Sequence, residues 1–170
     1  MARNMLARRD ALKGLLAVVL AGLVATRGTA RAQTAAQPEL PKEKLTIITS
    51  DGVRHDFNVE MALKPDQQIT GLMFRPSVPA DGGMLFDWGT DRVSQMWMRN
   101  TIAPLDMIFI GSDGRVRAIA ENTVPYSEAV ITSRVPVRAT LEVAAGTARR
   151  LNIQVGDKVE QRLFEPPPKN

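Results

Sequence analysis

Hydrophobic and polar positions alternate along Val53-Arg54-His55-Asp56-Phe57-Asn58-Val59-Glu60, with Val53, His55, Phe57 and Val59 on one face. A period of two predicts a half-buried strand. Residues 45–48 begin a similar pattern, and Ser50-Asp51-Gly52 between the two is turn chemistry, so a hairpin is expected. Lys64-Pro65-Asp66 opens a short helix: proline is tolerated in the first turn, and an acid is favourable near its positive end. Ile69, Leu72 and Met73 share a face of that helix, which should stop between Gly71 and Arg75. Met84-Leu85-Phe86 is too short for a helix and predicts a buried strand. After Gly89-Thr90-Asp91, residues 93–98, 105–110 and 115–120 follow as three strands with turns between them, the pattern of a β-meander. Residues 124–134 show no period and predict a surface loop; 137–143 return to strand. Thr147 is a plausible N-cap for a second short helix ending near Asn152, and residues 158–163 predict a last strand. Short strands, two short helices and Gly/Pro-rich turns make this a mainly-β single domain, a barrel-like or half-closed antiparallel sheet.

The first 32 residues follow another pattern. Arg3, Arg8, Arg9 and Lys13 form a charged start, residues 14–25 are apolar, and Ala30-Arg31-Ala32 sets small residues at alternate positions, as signal peptidase requires. The apolar run falls short of the roughly 20 residues that span a bilayer. A cleaved export signal over 1–32 is therefore expected, with cleavage near Ala32 and a periplasmic or secreted product without a permanent membrane span. Arg8-Arg9 with Leu12-Lys13 matches a twin-arginine signal in part; Ala11 stands at its usual Phe-like position. Residues 33–43 predict a disordered lead-in, 44–164 the β-rich domain, and 165–170, with three consecutive prolines, a disordered tail.

This division changes the charge argument. The chain carries 22 basic and 18 acidic residues; the first 32 positions hold six of the bases and one acid, leaving 16 and 17. The positive charge belongs to the leader, so a nucleic-acid partner loses its main support. The absence of cysteine rules out thiol nucleophiles, thiolate metal sites and disulfides, and the core alone must hold the fold.

Several ordered segments then carry a resemblance: residues 71–75 (GLMFR), 83–86 (GMLF), 97–101 (WMRNT), 104–110 (PLDMIFI), 141–146 (LEVAAG) and 155–157 (VGD). Together they resemble the domain of unknown function 192 family, over roughly residues 57–159. The resemblance implies a compact, mainly-β fold in bacterial and archaeal proteins that often carry export signals. It implies no reaction and supplies no catalytic or binding residues. Two positions depart from the family's pattern, Met96 where Phe is usual and Arg99 where Lys is usual. The second keeps the charge but changes its hydrogen-bonding geometry.

Candidate chemistry concentrates in residues 95–110, where two apolar runs flank the polar hinge Arg99-Asn100-Thr101. Asp106 lies among large hydrophobes on the face shared with Ile108 and Ile110, and a carboxylate there needs partners. Structurally, it would tie down the turn at residues 100–104 through backbone N–H groups. Functionally, Arg99, Asn100, Thr101 and Asp106 would line a cleft for a polar ligand. Arg75 is a further binding candidate, or else an ion-pair partner of Asp81, Asp87 or Glu128. Tyr126 sits in a loop and could stack on a ligand, whereas Trp97 is expected in the core. His55 is the only histidine, so neither a metal site nor a triad with Ser94, Ser127 or Ser133 is expected. Met73, Met84, Met96, Met98 and Met107 are expected to fill the core rather than hold a soft metal. No cofactor fingerprint follows any strand.

These features fit an exported envelope protein that binds a small polar ligand, a peptide or a glycan without catalysis. One alternative is an acid/base hydrolase or lyase centred on Asp106, with Arg99 as stabiliser and Glu128, Asp87 or Glu121 as second group. Another is a structural or interaction protein of the envelope.

Overall fold

The alternating segment and its neighbours form the strands that the period of two demands. The computed structural model describes residues 35–165. In chain order the elements are β1 (Lys42–Ile48), β2 (Arg54–Ala62), α1 (Pro65–Thr70), β3 (Gly82–Met96), β4 (Leu105–Ile110), β5 (Val116–Ala120), β6 (Ile131–Ala144), α2 (Thr147–Arg150) and β7 (Lys158–Glu160). The strands make one sheet in the order β5-β4-β6-β3-β2-β1-β7. β1 and β2 are the expected hairpin. Neighbours are antiparallel except β2 and β3, which run parallel because the segment containing α1 carries the chain back across before β3 begins. The two ends of this order meet at one corner. Arg115 and Lys158 form a bridge, and the amide of Val159 donates to the Gly114 carbonyl at 2.7 Å. The result is the half-closed, mainly-β architecture that the pattern predicts, with one parallel pair in it.

Both faces of the sheet are covered. Leu45, Ile47, Phe57, Val59, Leu85, Ile108, Leu141 and Val143 form the core on one face. Met84, Phe86, Met98, Leu105, Met107 and Phe109 form a second core on the other, joined by Leu72 from the turn after α1. β4 is buried at all six positions, which is why it reads as a continuous apolar run.

The main departures from the predicted elements have local causes. Residues 84–86 and 93–96 are not separate strands but parts of the 15-residue β3, which stops short of Trp97 and Met98. Gly89, with φ 77°, sits where β3 shifts register against β6 between Asp87 and Arg92, and such a bulge looks like a turn in sequence. β6 begins at Ile131 and lies between β3 and β4, so the expected meander reduces to the β4–β5 hairpin. β7 has three residues, and residues 162–164 turn into a 3-10 helix. Gly146, not Thr147, occupies the N-cap of α2, with φ 80°. Residues 37–40, expected in a disordered lead-in, are tied down. Gln37 Nε2 donates to the carbonyls of Gln67 (3.1 Å) and Gly71 (2.8 Å), and the Leu40 amide donates to Glu60 at 2.8 Å. The predicted export signal and the proline run lie outside the described residues.

β3 and β6 approach closely at Gly83, where an added Cβ would stand 2.4 Å from the Glu142 carbonyl oxygen. Gly83→Ala should therefore cost about 1–3 kcal/mol through forced separation of the two strands. A lowered urea midpoint checks this, and an unchanged midpoint refutes it.

Candidate functional site

The second face of the sheet carries an acid where the apolar pattern calls for a hydrophobe. In β6, Thr140 and Glu142 alternate with Leu141 and Val143, so Glu142 projects between its neighbours Met84 of β3 and Met107 of β4. It is only 4% exposed, and among the described residues its carboxyl has no hydrogen-bond or ion-pair partner. Burial among hydrophobes disfavours the charged form and pushes its pKa up to about 8. At neutral pH Glu142 is therefore mostly an uncharged acid.

A cleft of about 340 Å³ opens over this carboxyl. α1 and the turn after it make one wall with Gln68, Ile69, Leu72 and Met73; β3 and the residue beyond its end make the other with Trp88, Arg92, Met96 and Trp97. Gln68 fixes the first wall by donating to the carbonyls of Ala62 (3.1 Å) and Asp87 (2.6 Å). Trp88 is held twice. Its ring stacks on Phe86 with centroids 5.7 Å apart, and its Nε1 donates to Thr140 Oγ1 at 3.1 Å. The Arg92 guanidinium lies 4.1 Å from the centre of the Trp88 ring, and that of Arg99 lies 5.0 Å from the Trp97 ring. Both contacts are cation–π pairs, and among the described residues neither arginine has a carboxylate partner.

A family model for domain of unknown function 192, described as an uncharacterized ACR, matches residues 46–161. The chain belongs to the DUF192 family. A crystal structure from Sinorhizobium meliloti, described only provisionally as a transcription regulator, is 50% identical, with 74% of this chain and 97% of that one covered and a TM-score of 0.71. A second crystal structure, of a protein of unknown function from Novosphingobium aromaticivorans, is 41% identical, with 77% and 94% covered and a TM-score of 0.70. No curated protein matches the chain. The DUF192 segments meet at the cleft: Gly71, Leu72 and Met73 come from one, Phe86 from the next, Trp97 and Thr101 from the third, and Glu142 from another.

The residues singled out in sequence fall in several places. Asp106 is fully buried on the opposite face of the sheet and is not among the residues lining the cleft. Its two oxygens accept from the amides of Asn122 and Ala148, each at 2.8 Å. It is a backbone clamp, as the structural reading supposed, but it ties the turn at residue 122 to α2 rather than holding residues 100–104. Acid/base chemistry at Asp106 has no open site there, and its expected second groups lie elsewhere. Asp87 pairs with Arg138, Glu121 with Arg149, and Glu128 is exposed.

Arg99 borders the cleft through Trp97, and Thr101 lines it. Asn100 stands behind, in a left-handed conformation (φ 57°), its carbonyl accepting from the Phe74 amide at 2.9 Å. Tyr126 is 61% exposed and is not among the lining residues; its amide donates to the Thr101 carbonyl. Arg75 is committed to both carboxylate oxygens of Glu60, with Nη2 to Oε2 at 2.9 Å, instead of Asp81, Asp87 or Glu128. Trp97, expected in the core, is 45% exposed. β3 ends at Met96 and Met98 is the next residue to turn inward, leaving the indole at the rim. His55 is half-buried opposite Ile47.

Glu142, Trp88 and Arg92 were the residues that pattern reading passed over. The signal for Glu142 was present: it is an acid flanked by Leu141 and Val143 in an apolar strand. A carboxylate in that setting must be paired, protonated or in use.

Proposed function

We propose that this DUF192 protein is an exported binding module of the cell envelope, and that the cleft over Glu142 holds a small ligand without transforming it. Export rests on the leader pattern of residues 1–32. Binding rests on one observation above the others: a buried carboxyl without a partner among the described residues lies at the floor of an open cleft rimmed by aromatic side chains. Groups of that kind fix the orientation of a ligand in an otherwise apolar pocket. Catalysis finds less support, because among the described residues Glu142 is the only acidic one lining the cleft. A regulator role, carried over from the description of the Sinorhizobium relative, would call for a basic surface, which the 16 bases and 17 acids outside the leader do not favour.

The chain has two tryptophans, Trp88 and Trp97, and both line the cleft, so intrinsic fluorescence reports directly on its occupancy. Expressed from the whole gene, the protein should be recovered outside the cytoplasm with its N-terminus at Gln33. Screened against small molecules spanning charge and apolar content, this material should show emission changes paired with raised melting temperatures, both lost in Trp97→Ala. A product retained in the cytoplasm with its leader intact would refute export. A screen in which no compound moves either signal would refute binding.

A further inference from the structure

We propose that the cleft is selective for small organic anions with an apolar body, alkyl or aryl carboxylates being the type, with the head group at Arg92 and the body over the tryptophans. This rests on the binding reading above and names its ligand class.

Three features carry the choice. Arg92 lines the cleft, is held in place by the Trp88 ring and has no carboxylate partner among the described residues, so its charge is available to an occupant. Arg99 on Trp97 adds a second guanidinium at the same rim. A ligand cation would meet the opposite situation. Each of the two indoles already carries a guanidinium on one face, and the acid at the floor holds little charge to attract an ammonium. The walls are Phe86, Leu72, Met73 and Met96, which suit a hydrocarbon body.

The floor adds a pH signature. The charged groups around Glu142 are few. Arg92 of β3 lines the same cleft but pairs with Val137, five residues along β6; Asp87 of β3 is paired with Arg138 of β6; Asp106 of β4 lies on the other face of the sheet; Asp66 of α1 is exposed and outside the lining; Arg99 stacks on Trp97. An occupant displaces water from Glu142, and a negative one also repels its ionised form. The anion therefore binds the protonated state better, and its affinity must fall as pH rises past about 8. A cation would show the reverse.

Octanoate, octylamine and octanol, three probes with one hydrocarbon body and different heads, test this by titration of the tryptophan fluorescence at about pH 6.5 and about pH 9. Octanoate should bind about tenfold or more tightly than the other two at the lower pH, and weaken about tenfold at the higher. Arg92→Gln, an exposed position that leaves the core intact, should lose about tenfold in octanoate affinity. Glu142→Gln has no proton to lose at the floor, so its octanoate affinities at the two pH values should become equal, whatever their absolute level. Equal or tighter binding of octylamine or octanol would overturn the anion assignment while leaving the cleft as a binding site. Octanoate binding indifferent to Arg92→Gln would overturn it too. No response to any of the three probes would overturn it as well, and only a null result in the wider screen would also remove the binding site.

Discussion

Glu142→Gln should raise stability most at alkaline pH and flatten its dependence on pH between about 4.5 and about 8. The unfolded chain releases the Glu142 proton near the ordinary value of 4.5, whereas the folded chain holds it until about pH 8. Between those values the native state binds a proton that the unfolded state does not. Stability therefore falls as pH rises, by about 1.4 kcal/mol per unit. The contribution is complete below the lower value and gone above the upper one, so the full swing approaches about 5 kcal/mol, reduced by whatever water enters the cleft. Glutamine has the same shape and no charge to desolvate, and should remove the slope. Other carboxylates act in the opposite sense. Hydrogen bonds from Arg162 to Glu43 and from Lys44 to Asp56 hold those groups low, and their contribution is lost on acidification. They lie at the surface, where solvent screens them, and they are common to both proteins. The difference between the two urea-denaturation curves, taken across pH, therefore isolates Glu142. Parallel curves would mean that the acid is ionised and solvated in the native state.

What could be read in the sequence, and what could not, divides along the reach of the interactions. The β1–β2 hairpin, α1 and the buried strand β4 are set by neighbours a few residues apart, and their periods and turn residues show it. The place of β6 between β3 and β4 depends on pairing across 29 residues or more, which no local pattern encodes. The Gly89 bulge misled in a related way, because a glycine that bends a strand and one that ends it look alike. At the site, the pleat of β4 was legible and placed Asp106 on the face of Ile108 and Ile110. Which face bore the cleft was not, since it depends on where α1 and the 71–75 turn come to rest. Asp106 is conspicuous in sequence because it stands among hydrophobes. Glu142, equally conspicuous in its strand, is the buried carboxyl that has no partner among the described residues.

Asp106→Ala should cost about 3–5 kcal/mol and leave the cleft's ligand response unchanged in the molecules that remain folded. The two oxygens of Asp106 satisfy the amides of Asn122 and Ala148. Ala148 lies in the first turn of α2, whose N-cap is Gly146, a residue with no side chain to accept from the orphan amides of a helix start. A strand distant in sequence supplies the cap instead, and its negative charge strengthens both bonds. Alanine leaves two amides unmet, each costing about 1–3 kcal/mol, with the part-buried amide of Asn122 at the lower end and the buried one of Ala148 at the upper. Asparagine should be little better. It can offer an oxygen to one amide, but then turns an N–H₂ group towards the other, so a donor faces a donor. A urea midpoint lowered by similar amounts in Asp106→Ala and Asp106→Asn, with tryptophan-detected ligand binding intact, would fix the residue as a clamp. The opposite pattern, near-normal stability with binding lost, would return Asp106 to the functional site. Its position on the far side of β4 from Met107 and the cleft argues against that outcome.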